Sequence, residues 1–444
     1  MHTKEQQGKQ ADVVVIGGGS AGVGAAIAAA RKGLKVYLLE PTDLLGGIVA
    51  KTLGMPVDGA YPKGKSIGGI CEEWLESMYQ NDPPAALRRA CLLPGFEDGL
   101  AREVMYDPDI AVHKLFEMVE DAGVHLLMNS TAVNVSKDGN EVKSVTYYDR
   151  TGENTIHTKV VIDTSGDGDI ADKAGVPFEI GDDKGDMMGA TLTFLMQNVD
   201  QEKAFEGVED PFRGDLVKKG IEEKRLNEDM YNIYMMPGFR PGTVYFNSIH
   251  IKGIDGRNPE EVQKGTIEAR KRAYELIKFV KEEVPGFEHA ELEQMAPTLG
   301  IRETRRMEGM YTLTKDDVLN GAKFEDGIAC CDCTIDDVVR GEGKDSKVIH
   351  VSLIDKGVYY QVPYRTLIPK EVNNMLFAGR CFSAEPEAFA SARGISTSMI
   401  MGQACGTAAH LAITNNTSVQ DVDVQALVTD LQQQGVKGIG EEVL

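Results

Sequence analysis

Val13–Ile16 is a run of four apolar residues closed by Gly17, and the next apolar stretch, residues 23–30, is rich in alanine. A short β-branched run bounded by glycine predicts a buried strand, and the Ala-rich stretch predicts a closely packed helix. Val36–Glu40 predicts a second strand that ends in an acid. Taken alone, residues 13–30 have about the length and polarity of a membrane span. Their glycines cluster at the strand-to-helix joint, however, and a second strand follows at βαβ spacing, so a buried α/β unit is expected. Ile110, Val112, Leu115, Met118 and Val119 recur at helical spacing and predict an amphipathic helix over residues 109–122. Over residues 124–162 the pattern turns to short strands, VHLLMN, TAVNVSK, VKSVTYYD and TIHTKVVIDTSG. Turn residues separate them, which predicts a small antiparallel meander. Residues 187–199 open a different region, with an acidic, Lys-rich excursion at 201–230 and the strand-like TVYFNSIHI. Asn258-Pro259 then opens a long amphipathic helix ending near residue 283. The chain closes with VYYQVPYRTLIPK, NNMLFAGR, a Gly- and Ala-rich helix over residues 396–413, and a polar amphipathic tail.

The first strand–helix joint carries chemistry. Gly17, Gly19 and Gly22 fit GxGxxG, with Ser20 and Ala21 between the last two. The first glycine permits a tight turn, the second lets the backbone approach a pyrophosphate, and the third lets helix and strand pack closely. The helix N-terminus adds free N–H groups and partial positive charge. Glu40 stands 18 residues beyond Gly22, where an acid accepts hydrogen bonds from a ribose diol and repels a 2′-phosphate. A dinucleotide other than NADP is therefore expected.

Acidic residues outnumber basic ones 69 to 47, a formal net charge of −22. That balance leaves no electrostatic footprint for nucleic acid or an anionic membrane, so the expected partner is a small molecule. An anionic substrate would need a basic patch inside a cleft. Residues 1–10, MHTKEQQGKQ, lack the apolar segment of a secretion signal and are expected to be a disordered tail. Seven cysteines, an odd number, predict reduced thiols and a cytoplasmic location.

With these landmarks in order, the chain resembles the FAD-dependent oxidoreductases of the glutathione-reductase-like flavoprotein superfamily over about residues 11–415. The likeness rests on the opening fingerprint, Gly46-Gly47, VVIDTSGDGDIADKAG, APTLGIRETRRMEGMYTLTKDDVL, and VPYRTLIPK with MLFAGR and ARGISTSMIMGQACGTAAHLA. The resemblance implies FAD. By it, Gly17, Gly19, Ser20, Ala21 and Gly22 would hold the pyrophosphate, Glu40 the adenosine ribose, and Val133 the adenine through its backbone. Gly46 and Gly47 would lie against the cofactor, while Thr164, Gly166 and Asp167 would approach from the returning strand. Gly379 and Arg380 would sit by the ribityl and pyrophosphate. Arg393, Gly394 and Ile395 would open a helix whose N-terminus faces the flavin N1–C2=O edge, where reduced flavin carries negative charge.

What is missing narrows the chemistry. No second strand–GxGxxG–helix–acid unit follows, so a dedicated NAD(P)H domain is not expected. The electron partner then enters the substrate cleft or is another protein. No histidine lies between His2 and His113, so a histidyl–flavin bond near Gly46-Gly47 is ruled out and FAD is expected to bind non-covalently.

Three arginines in five residues, Arg302, Arg305 and Arg306, form the densest cationic site, and some of them are expected to face solvent. A guanidinium binds carboxylates bidentately, so Arg302 is the first candidate to hold an anionic substrate, with Arg305 second. Tyr359, Tyr360, His350 and His250 lie in strand-like segments, and a dehydrogenation needs a group to move a proton; Tyr360 and then His350 are the candidates. Cys330, Cys331 and Cys333 fall in a strand-like run that would place Cys331 and Cys333 on one face, and unreactive strand thiols are the expectation. No metal site is expected.

The reading is an α/β fold: a Rossmann-like FAD-binding domain, with a parallel sheet and a small antiparallel meander, and an inserted α+β substrate domain. The FAD-binding domain is expected at 11–185 and 365–415, the substrate side at 186–364, and the amphipathic tail at 416–444. The expected reaction is hydride transfer between a small organic molecule and flavin N5. An electron-transfer subunit serving an iron–sulfur partner and an enoate-type C=C reductase are the alternatives. A homo-oligomer or a redox partner protein is open.

Overall fold

In a computed structural model, which describes residues 8–90, 99–340, 347–353, 357–441 and 444, Val13–Ile16 is the middle strand of a five-stranded parallel sheet. The strand order is Met375–Phe377, Val160–Asp163, Val13–Ile16, Val36–Glu40 and His125–Met128. Both faces of the central strand are covered, which is why it reads as an unbroken apolar run.

Two predicted elements are placed differently. His125–Met128, expected in the meander, pairs parallel with Val36–Glu40 and forms the sheet's edge. The stretch TIHTKVVIDTSG splits, with Gly152–His157 in the meander and Val160–Asp163 in the parallel sheet. The meander is therefore three antiparallel strands, Thr131–Asp138, Glu141–Asp149 and Gly152–His157. Lys9–Gln10, expected in the disordered tail, adds to it by pairing parallel with Ile156 and His157.

The Ser20–Arg31 helix, here the fingerprint helix, packs against Ile395–Asn415, the closing helix, through glycines. A Cβ on Gly24 would lie 2.2 Å from Met399 O, one on Gly402 1.9 Å from Ala21 O, and one on Gly406 2.3 Å from Ala25 O. Glycine inside a helix costs about 1 kcal/mol relative to alanine. Here it permits backbone-to-backbone contact between two helices that both begin at the C-terminal edge of the parallel sheet. Val424–Gln433, within the C-terminal tail, is a helix that buries Leu427, Val428 and Leu431 against this region.

The middle of the chain builds a second core on a four-stranded antiparallel sheet, Met235–Pro237, Val244–Ile251, Ala190–Gln197 and Glu291–Met295. Phe194 and Phe246 stack at 4.5 Å in its centre. The long helix Pro259–Glu283, capped by the Asn258 side chain and opened by proline, covers it with Ala269, Ala273, Leu276 and Val280. Two ribbons, Gly327–Cys331 with Tyr360–Pro363 and Ile335–Arg340 with Lys347–Val351, complete this part. The Pro386–Ala392 helix packs on the second ribbon, which brings Asp336 and His350 toward the start of the closing helix.

Candidate active site

The cradle follows from the glycines. Gly17 has φ +92°, and Gly22 leaves room only for hydrogen, since a Cβ there would fall 1.8 Å from Gly17 O. Thr164 clasps the turn from the returning strand, its hydroxyl donating to Ile16 O at 2.7 Å and Gly17 O at 2.9 Å. Around Gly19 the space is open, with nothing within 4 Å of where a Cβ would stand. Gly46 bridges to Gly19 and donates to Gly18 O at 2.7 Å, so the Gly46-Gly47 loop lies along the rim of that opening. Glu40 is held by three donors: Gly18 N at 2.7 Å, Thr42 N at 2.9 Å and the Thr42 hydroxyl at 2.6 Å. This fixes the carboxylate at the end of its strand, beside the turn.

These residues fit a bound dinucleotide. The Ser20 hydroxyl and Arg380 Nη1 are buried without a hydrogen-bond partner, one on the first turn of the fingerprint helix and one beside the Gly166 turn. Each is a free donor that a phosphate oxygen would satisfy. Asp167 anchors Arg380 at 2.9 Å and accepts from Thr304 at 2.7 Å. A Cβ on Gly379 (φ +77°) would lie 3.0 Å from the Ala21 side chain, so the Arg380 turn sits against the fingerprint helix. Val133 falls in a bulge of its strand, half-buried and without a cross-strand partner. Gly394 caps the closing helix with no side-chain cap, so the first turn presents bare N–H groups.

Opposite lies a wall of charged side chains. Arg302 donates from Nε to the Thr191 hydroxyl at 2.7 Å and makes longer contacts, 3.4 Å each, to Asp336 and Asn247. Asp336 Oδ1 in turn lies 3.9 Å from His350 Nδ1. The Asp336 side chain is 42% exposed, yet burial by the surrounding protein pushes its carboxyl up. Both facts hold for a group lining a recess. The nearby His350 imidazole and the charges of Arg302 and Arg393 outweigh that burial and hold Asp336 well below the usual carboxylate range. Asp58, also open to the recess, is pushed the other way, raised by burial and by Glu103. His250 lies beside Arg302, with Nε2 3.3 Å from the Tyr231 hydroxyl. Burial and the Arg302 charge bring its imidazole down to about 3, so it is neutral at ordinary pH. Burial with the Arg302 charge lowers Arg393 to about 10, which leaves it cationic.

The sequence-predicted residues separate accordingly. The structure brings Arg302 and His350 together through Asp336. It removes Tyr360: the ring is fully buried, its hydroxyl is 2.8 Å from Ser391 Oγ, and burial pushes that hydroxyl well up. A proton-transfer group must reach the recess, and this one does not. None of the three clustered arginines projects into solvent. Arg305 donates to Asp167 O and Asp169, both at 2.9 Å, and Arg306 is buried on Glu303, Ala384 O and Gly181 O. Asp336, Tyr231 and Asp58 were absent from the sequence reading. Asp336 carries a faint signal, the first of two adjacent acids on a short strand, but nothing in the sequence pairs it with His350.

Among the described residues no group of three or more His, Cys, Asp or Glu is placed to hold a metal ion, and no helix is long and apolar enough to cross a membrane.

Residues 12–432 match the family FAD dependent oxidoreductase, and the chain belongs to it. An aerobic glycerol-3-phosphate dehydrogenase of Staphylococcus saprophyticus is 28% identical over 130 residues, 29% of this chain and 23% of that protein. Polyamine oxidase 5 of Oryza sativa subsp. japonica is 33% identical over 118 residues, 26% of this chain and 22% of that protein. The matches thus span under a quarter of the length of these curated relatives. Among solved structures, p-nitrophenol 4-monooxygenase of Pseudomonas putida superposes with a TM-score of 0.54 at 12% identity, over 96% of this chain and 85% of that one. A geranylgeranyl bacteriochlorophyll reductase-like protein of Thermoplasma acidophilum gives 0.51 at 16% identity, over 96% and 83%. At these identities the likeness is one of fold.

Proposed function

From membership of the FAD-dependent oxidoreductases, which makes this protein an enzyme and its cofactor FAD, we propose that it oxidises a small anionic alcohol, such as a hydroxy acid, or reduces the matching carbonyl. When bound, FAD supplies the two-electron chemistry, exchanging hydride at N5. Gly17, Gly19, Ser20, Ala21, Gly22, Gly46 and Gly47 would hold the pyrophosphate region non-covalently, and Glu40 and Val133 the adenosine. Thr164, Gly166, Asp167, Gly379 and Arg380 would hold the middle, and Arg393, Gly394 and Ile395 the flavin edge. Residues 11–185 and 365–415 serve as the FAD-binding domain, in the glutathione-reductase-like manner, and 186–364 as the substrate side.

The observation that carries the reading is the row Arg302–Asp336–His350 beside Arg393. Arg102 pairs with Asp332 at 2.7 Å, Arg89 with Glu103 at 3.0 Å, and Arg302 with Asp336 at 3.4 Å. Arg393 Nε is left buried with no hydrogen-bond partner. Two guanidiniums, Arg302 and Arg393, thus act on Asp336 in surroundings that strengthen electrostatic attraction, an arrangement that suits an anionic group. Arg302 and Arg393 fix that anion. His350, with Nδ1 turned toward ionised Asp336, moves the hydroxyl proton through its other nitrogen. Neutral His250, with Tyr231, receives a substrate hydroxyl without adding charge. The staphylococcal relative is named for an anionic alcohol, which agrees with this class.

The test is anaerobic mixing of the FAD-loaded protein with hydroxy acids and with their uncharged esters. Bleaching of the flavin by the acids and not the esters is the expected result. Bleaching by amines alone, reoxidation of the reduced protein by enoates alone, or electron exchange only with an iron–sulfur protein would each overturn it.

A further inference from the structure

Cys331 and Cys333 lie where the flavin edge is expected. Cys333 N donates to Cys331 Sγ at 3.3 Å. A Cβ built on Gly59, which has φ +69°, would be 2.6 Å from Cys333 Sγ, 3.7 Å from Cys331 Sγ and 3.1 Å from the hydroxyl of Ser396. Both sulfurs and the first turn of the closing helix thus converge on one spot, kept open by a glycine. The third thiol of the run is separate: Cys330 Sγ donates to Lys437 O at 3.5 Å, on the other face of the strand. Cys333 is half-buried and feels the charge of Asp58, whereas Cys331 is fully buried behind it, with Ser391 O 3.9 Å from its sulfur. Ser391 also fixes the turn, its hydroxyl donating to Cys333 O at 2.6 Å.

We propose that Cys331 and Cys333 form a dithiol–disulfide couple that exchanges two electrons with the FAD, an inference that rests on the flavin edge lying at Gly394-Ile395. In the oxidising direction both S–H bonds break and one S–S bond forms. Two electrons and one proton pass to the oxidised flavin, and the second proton leaves to water. In the reverse direction the S–S bond takes the two electrons from reduced flavin and two protons restore the thiols. Three features make the pair chemically competent. The thiols are neighbours on one face, one of them is reachable from the recess, and a 21-residue helix begins beside them with bare N–H groups that favour negative charge. The Cys333 hydrogen bond, opposed by burial and assisted by Tyr360, also holds the Cys331 thiol below its ordinary range, while the same hydrogen bond and burial push the Cys333 thiol well up.

The experiment is an anaerobic dithionite titration of the full, FAD-loaded chain after mild oxidation with glutathione disulfide, followed by thiol alkylation and peptide mass analysis. The expected uptake is four electrons per FAD in the parent. The peptide carrying residues 331 and 333 is expected two hydrogens lighter before reduction and doubly alkylated after it. Cys333→Ser, and independently Cys331→Ser, should each take up two electrons. The parent's own stoichiometry carries the test if either variant fails to fold. A yellow parent protein that takes up two electrons, with both thiols alkylated throughout, overturns the couple and leaves the FAD site standing. A chain that holds no FAD overturns both.

Discussion

The fingerprint side and the wall opposite it use different materials. The cradle is made of backbone: Gly17, Gly19, Gly22, Gly46, Gly379 and Gly394 matter for the side chains they lack, and the two helices meet through Gly24, Gly402 and Gly406. The wall is made of side chains whose charges balance against one another, Arg302 with Asp336 and Asp336 with His350. A change on the first side is therefore felt as volume. On the second it is felt as charge, and the fold is expected to tolerate it.

The comparison is broken most severely at Gly22. Gly22→Val puts atoms where 1.8 Å separates a Cβ from Gly17 O. FAD content should fall below about a tenth of the parent's, with about 1–3 kcal/mol or more lost in unfolding; flavin released per mole of chain is the measure. His350→Gln should keep its FAD and lose about 10²–10³-fold in kcat, the usual worth of a positioned acid–base group. Arg302→Ala should likewise stay yellow and raise KM for an anionic alcohol by about 10–100-fold, the worth of a charge-assisted hydrogen bond, while an uncharged ester is unaffected. Glu40→Gln keeps the shape but weakens the acceptors, so its FAD dissociation constant should rise by about tenfold in equilibrium titration.

The smallest effect concerns His250. Its imidazole is lowered to about 3 in the folded state, whereas an unfolded histidine titrates near 6.5. Between those values the unfolded chain binds the extra proton, so stability falls as pH drops from about 6.5 toward 3 and is unaffected above that window. His250→Gln should flatten the acid limb of a plot of Tm against pH. An unchanged slope would show that this imidazole is accessible to protons in the folded state.

That difference of material also decided what the sequence made legible. Glycines at fixed spacing state a backbone requirement locally, so the strand, turn, helix and Glu40 could be read from residues 13–40. The closing helix was likewise readable from its small residues. Histidines and acids carry no such local mark. His350 and Asp336 meet across a ribbon whose register, Asp336 opposite His350, is a tertiary fact. Tyr360 was misjudged because a β-strand tyrosine reads the same whether its hydroxyl faces a recess or, as here, a buried serine. The meander was overextended for a related reason. Short strands at 124–162 give no sign of which sheet they join, and His125–Met128 finds its partner in Val36–Glu40.

The most direct test of the account is the rate of flavin reduction in a single anaerobic mixing of His350→Gln with a hydroxy acid that bleaches the parent. At equal FAD content, the rate should fall by about 100-fold or more, which would place the reaction at the charged wall facing the glycine cradle. An unchanged rate would contradict the account and move the proton-transfer step elsewhere in the protein.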